Sequence, residues 1–156
     1  MSATVPYDAF AALLSDPADG DLPDGAVPGS TGTDWLVVLG RARERGWRMT
    51  VLGTEPRPVP DDLGSIVADP DDSHTVAVWP AEGVQVNVFV AAGEVDFDVD
   101  RREITGQEPL DALCDFLRTA GTALGKDVTL AYEGSDAVFL TYDVAADAFS
   151  LAEPPR

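Results

Sequence analysis

The sequence predicts an α+β fold: an antiparallel sheet, made of a meander and a C-terminal hairpin, with helices packed on one face. Three observations carry this. Residues 74–79 (HTVAVW), 84–90 (VQVNVFV) and 94–100 (EVDFDVD) alternate with the period of half-buried strands. The connections between them are short, which suits antiparallel neighbours. Leu110, Leu113, Phe116, Leu117, Ala120, Ala123 and Leu124 then recur at three- and four-residue steps, the pattern of an amphipathic helix. Strands and helices that run in separate blocks fit an α+β arrangement. At 156 residues and 45% apolar content, the chain is expected to form one domain, 1–156, with its own core.

Taken in order, Tyr7 to Leu14 predicts a short helix, because Phe10, Leu13 and Leu14 share a face. Residues 16–32 (DPADGDLPDGAVPGSTG) read as a long loop rich in Asp, Gly and Pro. Thr33 is the expected cap of a second helix, with Asp34 in its first turn and Trp35, Val38, Leu39 and Ala42 on one side. Gly46 should end it. A strand follows at 47–52, and PRPVPDDL is expected to be loop, since its prolines cannot continue a ladder. After the meander, Pro109 suits the first position of the long helix and Gly125 its end. Residues 127–133 and 137–143 make a closing hairpin around Gly134 and Ser135.

The charge is the most distinctive feature. There are 28 acidic and 10 basic residues, a net charge of −18. Thirteen acids and five bases in residues 1–78, and fifteen and five in 79–156, leave −8 and −10, so the acidity is not confined to a tail. Such a field repels nucleic acid and anionic membranes and attracts basic proteins. Acidity also serves solubility alone. One cysteine, Cys114, rules out an internal disulfide framework. No signal peptide and no membrane span are read from the chain, and a cytoplasmic location is expected.

Asp96, Asp98 and Asp100 alternate with Val95, Phe97 and Val99. A calcium loop starting at Asp96 would need Gly at its sixth position and Glu at its twelfth; Arg101 and Gln107 stand there, and no metal site is expected. A strand with its apolar residues inward and its aspartates outward accounts for every residue. Gln85, Asn87 and Phe89 should share that outward face, joined by Thr129, Glu133, Phe139 and Thr141 from the hairpin. The expected partner-binding residues are Asp96, Asp98, Asp100, Asn87, Phe89, Asp71 and Asp72. Solvated strand charges add little to stability, so replacing all three aspartates with asparagine should leave folding nearly intact.

No catalytic residue and no cofactor are expected. His74 and Cys114 are the only residues of their kinds, and nothing in the sequence brings them together; Cys114 reads as a small core residue. Zinc-ligand spacing, the serine-hydrolase elbow and both glycine-rich phosphate motifs are absent. Arg41, Arg43, Arg45 and Arg48 lie towards a helix end, where cations complement the dipole, and read as structural.

From Val95 onward the chain resembles small bacterial immunity-type proteins encoded beside polymorphic toxins. The resemblance rests on the acidic strand, the REITGQ turn, the helix holding DFLRTAG, the LGKDVTL strand and the final strand with TYD. It covers roughly the C-terminal third to half, and none of its features is a catalytic motif. It implies a non-enzymatic inhibitor that binds one cognate, basic toxin, with no nucleic acid or membrane as partner. The alternatives are a small enzyme using clustered carboxylates and an acidic adaptor or secretion chaperone.

Overall fold

The computed structural model describes residues 1–53, 55–67, 75–90 and 95–153. Within them lie three α-helices, α1 (Tyr7–Leu13), α2 (Gly32–Glu44) and α3 (Gln107–Leu124). Nine strands complete the fold: β1 (Asp24–Ala26), β2 (Arg48–Leu52), β3 (Arg57–Pro58), β4 (Thr75–Ala81), β5 (Val84–Phe89), β6 (Phe97–Val99), β7 (Val128–Ala131), β8 (Val138–Asp143) and β9 (Ala148–Leu151). All pairings are antiparallel, and the strands form one sheet in the order β3-β2-β4-β5-β6-β1-β7-β8-β9. The α+β class expected from the sequence is therefore the one observed.

The buried side of the sheet is built from alternate residues: Val51, Val76, Val78, Val86, Val88, Phe97, Val99, Leu130, Leu140 and Tyr142. The helices cover this side. Phe97 sits between Trp35 of α2 and Phe116 of α3, with ring centroids 5.6 and 5.2 Å away, and Trp47 adds a further ring 6.3 Å from Phe116. Phe116 is buried as its place on the predicted apolar face requires, and so is Cys114. Burial pushes the Cys114 thiol up to about 12, so it stays protonated and unreactive at neutral pH.

Three expectations about the elements need correction. The 16–32 segment is not wholly loop. Its residues 24–26 form β1, which lies in the middle of the sheet between β6 and β7. Gly25 faces Phe97 directly, and a Cβ at Gly25 would lie 2.1–2.4 Å from three atoms of the Phe97 ring. The glycine that reads as a turn signal is instead the space a core aromatic occupies. The proline-rich stretch after β2 also pairs: Pro58 and Arg57 lie opposite Thr50 and Val51, at the sheet edge where a missing N–H is tolerated. A last strand, β9, extends the hairpin, and its outer side exchanges backbone hydrogen bonds between Phe149 and Ser2.

The helix ends also shift. Thr31, not Thr33, caps α2: its hydroxyl accepts from the Asp34 N–H while the Asp34 carboxylate accepts from the Thr31 N–H. Gly46, at φ 74°, ends it as expected, with Trp47 N–H returning to Ala42 O and Gly46 N–H to Arg43 O. Helix α3 begins two residues before Pro109, at Gln107. The Gln107 amide accepts from Tyr7 N–H at the start of α1 and donates to Val5 O, so it ties the two helix starts together.

Candidate functional site

The second side of the sheet is open. Arg48 and Thr50 of β2, Ala77 and Trp79 of β4, Gln85, Asn87 and Phe89 of β5, Asp98 of β6, Asp24 of β1, and Thr129 and Ala131 of β7 lie on it by strand alternation. Most are half-buried or exposed, in contrast to their neighbours on the helix side. One continuous cross-strand row runs Thr50, Ala77, Asn87, Asp98, Asp24, Ala131. A polar chain lies on it: Gln85 Nε2 donates to Asn87 Oδ1 at 2.7 Å, and Asn87 Nδ2 donates to Asp98 Oδ1 at 3.0 Å. At one end, the Arg48 guanidinium stacks 3.8 Å from the centroid of the Trp79 ring. Beside the centre is a hollow of about 300 Å³ lined by Asp24, Val95, Thr129, Asp136 and Val138, among others.

The three aspartates of the acidic strand have three different fates. Asp98 is on the open face as expected. Burial raises its carboxyl above the ordinary range; the Asn87 hydrogen bond opposes this, and the charges of Asp24, Glu133 and Asp100 reinforce it. Asp96 points inward and is only 9% exposed. It accepts from Val27 N–H at 2.8 Å and from the Ser30 hydroxyl at 3.0 Å, and Ser30 in turn accepts from the Trp35 indole. Strand alternation fails there because β6 begins only at Phe97, so Asp96 is a loop residue turned towards the chain that precedes α2. Asp100 caps the 3-10 turn Arg101–Glu103 through Arg102 N–H and pairs with the Arg102 side chain at 2.8 Å. Hydrogen bonding from Arg102 holds its carboxyl below the ordinary range.

Of the other expected binding residues, Asn87 and Phe89 are on the open face, while Asp71 and Asp72 lie outside the described residues, as does His74. Thr129 and Thr141 face outward as expected, and Glu133 is exposed in the turn after β7. Phe139 does not face outward. The β7–β8 register shifts so that Ala131 pairs with Val138, and this bulge turns Phe139 inward against Phe10 and Tyr132. Asp24 carried no legible signal, since its strand has three residues and follows a proline.

Most of the described bases are held by the chain itself. Arg45 pairs with Asp115, Arg101 with Asp21, Arg118 with Asp147 and Lys126 with Asp34. Arg43 donates to the carbonyls of Pro60 and Asp61, and Arg41 pairs with Glu44. The arginines of α2 thus have structural contacts, in line with their helix-end reading. Among the described residues, neither Asp98 nor Asp24 is in an ion pair, no group of three or more His, Cys, Asp or Glu could hold a metal ion, and no helix is long and apolar enough to cross a membrane. Compared with known proteins, the chain matches no protein-family model, no curated protein and no solved structure.

Proposed function

We propose that this protein is a non-enzymatic inhibitor that binds and blocks a basic protein, a cognate bacterial toxin of the kind implied by the C-terminal resemblance. The reading rests on one observation. The charge of −18 is spread through the chain, while most described bases are engaged by the chain's own carboxylates and carbonyls. What remains for a partner is therefore predominantly negative, and it favours capture of a basic surface. The inhibitor acts in the cytoplasm, where it meets its toxin before export.

The test is co-expression with the toxin-like product of a neighbouring gene. The wild-type protein should restore growth and co-purify with that product as a stoichiometric complex. Association should slow steeply as salt rises, while dissociation changes less. Turnover of a small substrate by the purified protein, with no complex formed by any neighbouring gene product, would overturn the reading.

A further inference from the structure

This inference deepens the binding reading above by assigning its surface. We propose that the open face of the sheet, from Trp79 on β4 across Asn87 and Asp98 to Asp24 on β1, is a docking surface for an arginine- or lysine-bearing segment of a partner protein.

Among the described residues the helices cover one side of the nine strands, and the opposite side presents side chains from β2 to β7 in one sheet. Strands β6 and β1 are the fifth and sixth of the nine, so Asp98 and Asp24 lie at the middle of that face. They are direct cross-strand partners. Like charges set opposite each other cost stability, and among the described residues neither acid is in an ion pair. A cation from outside would convert that repulsion into attraction.

The face is also prepared for contact. The Gln85–Asn87–Asp98 chain fixes the amides and leaves Asp98 Oδ2 without a hydrogen bond among the described residues. The half-buried rings of Trp79 on β4 and Phe89 on β5 lie on the same face, and Arg48 stacks on the Trp79 ring. Aromatic residues are enriched in protein-binding patches, and here they accompany acids that a basic partner would neutralise. The chemistry selects a basic occupant, because among the described residues the acids at the centre are in no ion pair and the long-range field has the same sign.

The experiment is a two-dimensional NMR titration of the full chain with an octa-arginine peptide at about 0.15 M salt, where distant charges are screened. The largest amide shifts are expected at Gln85, Asn87, Phe89, Asp98 and Asp24, the half-buried residues of this face. The double variant Asp24→Asn/Asp98→Asn keeps the hydrogen-bond acceptors for Gly134 N–H and Asn87 and should still fold, as its own spectrum reports. It should weaken binding by about tenfold or more. Asp8→Asn/Glu108→Asn, which removes the same charge from exposed helix positions, should weaken it much less. Equal weakening by both doubles, or shifts spread evenly over the helix side, would overturn the proposal. Shifts on this face together with failed rescue in co-expression would sink the toxin reading and leave the surface standing.

Discussion

Asp96 ends a relay that starts at the Trp35 indole and passes through the Ser30 hydroxyl, and it also holds the Val27 N–H. Its loss leaves donors without an acceptor in a site closed to water. Asp96→Ala should therefore cost about 2–3 kcal/mol in denaturant unfolding, and a cost under about 0.5 kcal/mol would mean the donors find other acceptors. The premise of the triple asparagine change, that all three aspartates are solvated strand charges, does not hold at Asp96, which is buried; both of its hydrogen bonds fall on Oδ2, an acceptor that an asparagine Oδ1 would supply. Asp98 behaves oppositely. Its carboxyl is raised in the fold above 3.8, so the native state binds the proton more tightly than the unfolded chain. Ionised Asp98 costs stability above its folded value, and that cost is relieved as pH falls through the window down to 3.8. Asp98→Asn should be as stable as wild type or more so at pH 7, by under about 1 kcal/mol since the group is half-exposed. The gap should close below pH 3.8 in parallel thermal melts. Asp100, held low by Arg102, has the other sign: its contribution is present above 3.8 and is lost as pH falls through its lowered value.

At the scale of elements, β1 depends on the absence of a side chain at Gly25. The Phe97 ring fills that place and is itself braced by Trp35 and Phe116, so it cannot retreat. Gly25→Ala should cost about 1–3 kcal/mol through overpacking. Combining it with Phe97→Leu should cost less than the sum of the two single changes, because the smaller side chain makes room for the new Cβ. Additive costs in urea melts would place the strain elsewhere. Helix α3 makes a similar close approach: a Cβ at Gly121 would lie 2.6–2.7 Å from the Tyr142 ring. These glycines let β1 take the Phe97 ring of β6 and α3 take the Tyr142 ring of β8, where any other residue would hold them apart.

For the whole molecule, the net charge is large and of one sign, and the named ion pairs are mostly at the surface. Self-repulsion then outweighs the pairs, which each contribute little. The melting temperature should rise with sodium chloride from low ionic strength to about 0.15 M and flatten once the screening length approaches 8 Å. A melting temperature that falls with salt over that range would show that the pairs outweigh the repulsion. The same repulsion that salt relieves is what a basic partner would relieve on docking.

The α+β class, the three meander strands, the α3 face with Phe116 and the inward Phe97 and Val99 were all legible, because hydrophobic periodicity reports which side of an element is buried. The polar row of Asn87 and Asp98 followed from the same period of two. The strands β1, β3 and β9 were not legible. Each has two to four residues, too few to show a period, and two of them contain or adjoin proline. Their strand geometry comes from the hydrogen bonds of longer neighbours. Nor could local pattern reveal that Asp96 turns inward or that Asp24 lies opposite Asp98. Asp24 and Asp98 lie 74 positions apart in the sequence, and only the closing of β1 between β6 and β7 brings them together. The sequence by itself determined which side of the longer elements had to be buried and how much charge the protein carries. Tertiary structure decided which acids stabilise the fold and which lie on its open face without an ion pair among the described residues, because that depends on the groups each carboxylate meets.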